Sequence, residues 1–172
     1  GKLLYVADWS NGLGVLDLEA TGQSTGRWTW MRPPADSTVL GIDGLRRHGN
    51  RLIAIQNGIA PPRILSLELS ADGRSLVAAK TLERNLAEWD EPTLGVVVDG
   101  AFYYVANSHW PSFPGDDSTP VDTAKLSPTA IRRVVGNSYS SGYTTAAATI
   151  RPSSLRTGTV ASPRACAPRM TS

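Results

Sequence analysis

Cysteine is almost missing from this chain: Cys166 stands alone among 172 residues, so no disulfide can form within it. With only two histidines, no Cys/His cluster has the spacing of a zinc site. Long apolar runs are missing too. No stretch approaches the roughly 18 uninterrupted apolar residues that a membrane-spanning helix requires, and no membrane role is expected. No charged start leads into an apolar run as in a signal peptide; the chain opens at Gly1 rather than Met, so the compartment stays open. There is no phosphate-cradling Gly loop and no nucleophile-elbow motif, and Gly12-Leu13-Gly14 alone is not a dinucleotide fingerprint.

Acidic residues are missing from residues 136–172, which hold Arg151, Arg156, Arg164 and Arg169. The formal charge of the whole chain is +2, so residues 1–135 are slightly acidic once that basic end is set aside. A surface that tracks nucleic-acid phosphates needs clustered Lys and Arg, and no nucleic-acid partner is expected. The same end consists of Gly, Ser, Thr, Ala, Pro and Arg, as in Gly136-Asn137-Ser138-Tyr139-Ser140-Ser141-Gly142. That composition offers too little apolar surface to offset the entropy of ordering, so residues 136–172 are expected to form a disordered tail. With 41% hydrophobic and 19% charged residues, the chain can still fill one packed domain.

What is present is a repeat. Leu3-Leu4-Tyr5-Val6-Ala7-Asp8, Leu52-Ile53-Ala54-Ile55-Gln56-Asn57 and Phe102-Tyr103-Tyr104-Val105-Ala106-Asn107 recur at a spacing of about fifty residues. Each is a run of β-branched, aromatic and aliphatic residues ending in Asp or Asn, which suits a buried strand entering a turn. Residues 41–82 read as four strands. Gly41–Arg47 ends at His48-Gly49-Asn50, Arg51–Gln56 ends at Asn57-Gly58, Arg63–Leu69 alternates apolar and polar, and Asp72-Gly73 turns into Ser75–Leu82. Four antiparallel strands in sequence make one propeller blade.

The expected fold is therefore all-β, a partial β-propeller of about two and a half four-stranded blades. Its units span about residues 1–31, 41–82 and 93–135. The first unit offers Leu3–Ala7, Leu13–Leu18 and Arg27–Met31, and its first strand would precede Gly1. The third offers Thr93–Val98, Phe102–Ala106 and Ala130–Val135. The chain thus reads as the C-terminal part of a longer protein, expected to self-associate through exposed blade edges.

Ile42-Asp43-Gly44-Leu45 followed by Gly49-Asn50-Arg51-Leu52-Ile53-Ala54 resembles a blade of the senescence marker protein/gluconolactonase/luciferin-regenerating enzyme family, with Ile42 where that family usually has Pro. Arg63–Leu67, and Leu3–Asp8 with Val15-Leu16-Asp17, are similar to neighbouring strands of such blades. Strictosidine synthase-like, paraoxonase-like and NHL-repeat propellers share the texture. The resemblance implies a six-bladed propeller and hydrolysis of a sugar lactone or similar cyclic ester. It also implies a divalent cation, calcium before magnesium or manganese, held by one Glu, Asn side chains and one Asp. That Asp falls on Asp43, as metal ligand and as catalytic proton acceptor, with the other ligands in the missing blades; this chain alone is then expected to be inactive.

The repeat puts Thr93 where the middle unit has Asp43, so the acid marks one blade only. A turn Asp capping backbone N–H groups before Gly44 is the plain alternative. Three further residues are candidates for axial-face or substrate contacts: Thr93 itself, Glu91 beside Pro92, and His109 where a strand enters a loop. A surface histidine stacked on Trp110 is the commoner reading of His109. His48 reads as a solvent-exposed turn residue, Asp116-Asp117 as a solvated loop pair, and the five Trp as blade packing. A non-catalytic propeller that binds a peptide, glycan or protein stands as the rival function, because propellers host both.

Overall fold

The computed structural model describes residues 2–19, 27–113 and 121–135 in full and the backbone of residues 144–149. The described residues form three antiparallel sheets and no α-helix. The first sheet holds β1 (Leu3–Asp8), β2 (Gly12–Asp17) and β3 (Arg27–Trp30) in chain order. The middle sheet holds β4 (Ile42–His48), β5 (Arg51–Gln56), β6 (Arg63–Leu69) and β7 (Leu76–Arg84), again in chain order. The third holds β8 (Thr93–Val98), β9 (Ala101–Val105), β10 (Ala130–Val135) and β11 (Thr144–Thr149). The β5, β6, β8 and β10 bounds are those that the apolar runs and turn residues suggest. The strand β11, paired with β10 from Ala130↔Thr149 to Val135↔Thr144, falls inside the segment expected to be a tail. Its Thr-Thr-Ala-Ala-Ala-Thr sequence has no apolar alternation to announce it. The rest of that segment lies outside the described residues.

The middle sheet is buried on both faces. Leu52 and Ala54 of β5, with Leu65, Leu67 and Leu69 of β6, pack against Leu13, Val15 and Met31 of the first sheet side. Ile53, Ile55 and Ile64 point the other way, onto Phe102, Tyr104 and Val134 of the third sheet. A strand covered on both sides needs apolar residues at consecutive positions rather than at alternate ones, which is why β5 reads Leu-Ile-Ala-Ile without a break. The outer sheets have one covered face each. In β8 burial alternates strictly, with Leu94, Val96 and Val98 exposed; in β1, Leu4 and Val6 are exposed while Leu3, Tyr5 and Ala7 meet the core.

That alternation corrects the alignment of the repeat by one residue in the first unit. The pair Leu4↔Leu16 stands where the middle sheet has Leu52↔Leu67, so Leu4 rather than Leu3 is the counterpart of Leu52. A slip of one residue turns every side chain to the other face, and only the facing of the side chains reveals it. The tryptophans depart from expectation as well. Only Trp89 is packed in the core; Trp28 and Trp30, in edge-to-face contact with centroids 5.0 Å apart, lie exposed on the outer face of the first sheet.

Between the middle and third sheets lies a buried polar lock. The Tyr104 hydroxyl donates to Glu83 Oε2 at 2.5 Å and accepts from Trp89 Nε1 at 2.9 Å. Arg132 Nη2 donates to Glu83 Oε1 at 3.0 Å, and its Nη1 meets Glu88. Burial, and the bond to Glu83, push the Tyr104 hydroxyl well above the usual phenol range, so it remains a donor. The Arg132 and Glu83 side chains are each under a tenth exposed, and removing one partner strands the other charge away from water. Arg132→Met is expected to lower the unfolding free energy by about 3–5 kcal/mol in urea titrations. Arg74→Ala, which breaks a pair to Asp17 at the surface, is expected to leave the unfolding free energy nearly unchanged in the same titrations.

Candidate functional site

The strands β4 and β8 lie side by side, and their starting ends carry the polar residues. Asp43 is the extra residue of a bulge between Ile42 and Gly44, where the β4–β5 register shifts; a bulge re-aims the side chain it carries. Asp43 Oδ2 accepts from Asn57 Nδ2 at 3.0 Å and also from the Thr93 hydroxyl. Thr93, its counterpart in the repeat, is thus its direct partner across two sheets. Asn57 Nδ2 also donates to the Pro92 carbonyl at 3.0 Å, which fixes the orientation of the amide.

The orientation leaves Asn57 Oδ1 buried without a hydrogen-bond partner among the described residues. Its counterpart Asn107 shows what the position normally does. Asn107 Nδ2 donates to the Pro128 carbonyl at 3.0 Å, as Asn57 does to Pro92, and Asn107 Oδ1 accepts the Ala130 N–H at 2.6 Å. A buried carbonyl oxygen left unpaired costs roughly 1–3 kcal/mol. Asn57 is the one that bears that cost, and it stands beside Asp43.

Glu91 sits at the same end. Its backbone has φ 54°, and Gly41, its counterpart fifty residues earlier by the repeat, has φ 64°. The chain needs the left-handed conformation here because the carbonyl of this residue receives the N–H of the strand end beside it: Gly58 N to Gly41 O at 3.0 Å, Ser108 N to Glu91 O at 3.3 Å. Gly adopts that conformation freely; Glu does not. Partial burial, then the charges of Asp43 and Asp90, raise the Glu91 carboxyl above its ordinary range.

His109 also has a left-handed backbone, at φ 56°. Its side chain is 11% exposed, rather than open on the surface, and Nδ1 lies 2.6 Å from Asp90 Oδ2. Its Nε2 has the Ser127 carbonyl oxygen at 3.0 Å, the Asn107 amide nitrogen at 3.1 Å and the Ser127 hydroxyl at 3.2 Å. Asp90, His109 and Ser127 follow the order of acid, base and nucleophile in a hydrolase. The Ser127 hydroxyl, however, accepts from Asn107 Nδ2 at 3.0 Å, and Nε2 is nearer to the Ser127 carbonyl than to its hydroxyl. The cluster ties residues 127–130 to the strand end and does not free a nucleophile.

The four residues singled out in the sequence therefore meet at one end of neighbouring sheets: Asp43 touches Thr93, Glu91 is within electrostatic reach of Asp43 and Asp90, and Asp90 holds His109. Asn57 and Asp90 were missed. The signal for Asn57 was hidden because it matches Asn107 in the repeat; only their different partners distinguish them. His48 is exposed in its turn, and Asp116-Asp117 lies outside the described residues. A cleft between the first and middle sheets, lined by Tyr5, Arg47, Asn50, Glu68 and Asp72, opens at the opposite end of the strands. Among the described residues, no group of three or more His, Cys, Asp or Glu could hold a metal ion. Hard oxygen donors are nonetheless present in kind, as the Asp43 carboxylate and the unpaired Asn57 Oδ1. Compared with known proteins, the chain matches no family model, no curated protein and no solved structure.

Glu91 gives a test of whether this end of the sheets gives up stability for function. The folded state holds the Glu91 proton more tightly than the unfolded chain, whose ordinary value is 4.5. This group's contribution is therefore most favourable below that value and falls as pH rises through the window just above it. Glu91→Gln should leave the melting temperature unchanged at pH 4 and raise it at pH 7. Glu91→Gly should gain about 1 kcal/mol at both, by relieving the backbone.

Proposed function

We propose that the three sheets are consecutive blades of a β-propeller, related to the six-bladed gluconolactonase-like proteins, and that the complete propeller, rather than this chain alone, hydrolyses a sugar lactone or similar cyclic ester at the strand ends around Asp43. Two features favour the blade reading: each sheet is an up-and-down antiparallel ladder in chain order, and successive sheets stack by their apolar faces with β1, β4 and β8 in contact. The single observation that carries the site is the Asp43 carboxylate held by Asn57 Nδ2, an amide whose own Oδ1 is left buried without a partner among the described residues.

The Asp43 carboxylate would be one ligand of a hard divalent cation, calcium first, with magnesium and manganese as alternatives. Hard cations take about six or more oxygens, so it supplies only part of the shell. When bound, the cation polarises the lactone carbonyl. The residues of the chain do the rest. Asn57 and Thr93 both donate to Oδ2 and hold the Asp43 carboxylate still, which lets Asp43 accept the proton of an attacking water. Glu91, with its raised affinity for a proton, can return one to the departing alkoxide oxygen. The ring C–O bond breaks, the water oxygen stays on the acyl carbon, and the product is a hydroxy acid.

Calorimetric titration of calcium and of manganese tests this reading. The protein should bind one of them, and Asp43→Ala and Asn57→Leu should each abolish the heat while leaving the circular dichroism spectrum intact. In the complete propeller, lactone opening, followed as acid release at constant pH, should fall at least about a hundredfold in Asp43→Ala, the size of effect expected for a lost general base. If neither ion binds and no lactone opens, the non-catalytic reading takes its place: a propeller that binds a partner across the same strand ends.

A further inference from the structure

The two open faces of the stack are a matched pair. Inside the chain, each sheet presents a face toward its predecessor and a face toward its successor, and every internal contact joins one of each kind. The middle sheet meets the first through Leu52, Ala54, Leu65 and Leu67, and meets the third through Ile53, Ile55 and Ile64. The open face of the first sheet carries Leu4 and Leu16, counterparts of Leu52 and Leu67, with Val6, Trp28 and Trp30. It is a face of the first kind. The open face of the third sheet carries Val96, paired with Tyr103, and Tyr103 is the counterpart of Ile53 in the repeat. It is a face of the second kind. Leu4, Val6, Trp28 and Trp30 on one face and Leu94, Val96 and Val98 on the other are 36–55% exposed, so each face presents several apolar side chains together rather than a single exposed one.

We propose that a second copy of this chain covers both faces: the third sheet of each copy packs on the first sheet of the other, and the two copies close a ring about a two-fold axis. Each contact is head-to-tail, and a head-to-tail contact either closes into a ring or grows into a filament. Three sheets from each copy give a total within the range of about 4–8 blades that closes a propeller. The closure rests on the blade reading of the sheets; the pairing of the faces does not. An isologous dimer through the first sheets alone would leave Leu94, Val96 and Val98 in water.

The test is sedimentation of the full chain with one charge placed on each face: Leu4→Lys on the first sheet and Val96→Lys on the third. The wild type should sediment at twice the 18.3 kDa chain mass, and each variant alone as a folded monomer by circular dichroism. An equimolar mixture of the two should recover a dimer, because Leu4→Lys keeps the third-sheet face and Val96→Lys keeps the first. A monomeric wild type, a variant that still pairs with itself, or a mixture of folded variants that stays monomeric overturns the face pairing. Growth of the wild type without limit overturns the ring, and with it the blade geometry, while leaving the pairing. Should the lysines prevent folding, Leu4→Cys and Val96→Cys chains in a Cys166→Ser background give the same answer. A bismaleimide should link one to the other and neither to itself; equal self-linking overturns the proposal.

Discussion

The strands β5 and β6 have no side that faces water, and the rest of the structure follows from that constraint. Leu52 and Leu67 point to the first sheet, Ile53, Ile55 and Ile64 to the third, and all are 8% exposed or less. A sheet with two apolar faces is stable only between two others. Hence the chain stacks sheets in order, and the polar side chains that enter the stack bring charged or hydrogen-bonding partners with them. Gln56, fully buried at the end of β5, donates to the Thr38 carbonyl at 3.0 Å and accepts from Arg63 Nε at 2.6 Å. Glu83 and Arg132 enter the second interface as a pair, held by Tyr104. The same constraint makes the outer sheets anomalous, since the apolar character of the stack continues to faces on which no other described sheet is stacked.

The sheets were legible in the sequence because the turn chemistry and the apolar runs agree. Asp72-Gly73 and Asp99-Gly100 close the β6–β7 and β8–β9 hairpins, with Gly73 at φ 72° and Gly100 at φ 74°. Which way each strand faces was less legible. In β5 both faces are apolar, and in β1 Leu3-Leu4-Tyr5-Val6-Ala7 is apolar throughout, so the composition of β1 fits either register. Facing was decided by the partners, Leu13 and Val15 of β2 on one side and Trp28 and Trp30 of β3 on the other. The strand β11 escaped notice for the opposite reason: alanines and threonines pair through their backbone without an apolar pattern to read.

The site was legible where the repeat contradicts itself. Asp43 against Thr93 is such a place, and the two side chains turn out to touch. Glu91 against Gly41 is another, and its meaning needed the backbone: the sequence shows a carboxylate where an earlier unit has Gly, but not that the position has φ 54°. Asn57 lies at the other extreme. It agrees with Asn107 as a residue and differs only in whether its oxygen finds a partner, so no reading of residue types alone could have separated the two.

A repeat protein is free to vary only where variation does not unstack it. The faces of the sheets are held constant by packing, because a polar side chain there would be buried without a partner. The strand ends are not, since Asp43 is exposed and Glu91 and Thr93 are partly so. Those ends also hold three of the features that cost the described residues stability: a left-handed Glu91, a left-handed His109 and an unpaired Asn57 oxygen. Each lies within one cluster, while Gly41 and Asn107 show the relaxed form of two of the same positions. A left-handed Glu91 and an unpaired Asn57 oxygen beside the Asp43 carboxylate, where Gly41 and Asn107 show the relaxed form of the same positions, are the kind of feature that a binding or catalytic site would retain at a cost to the fold.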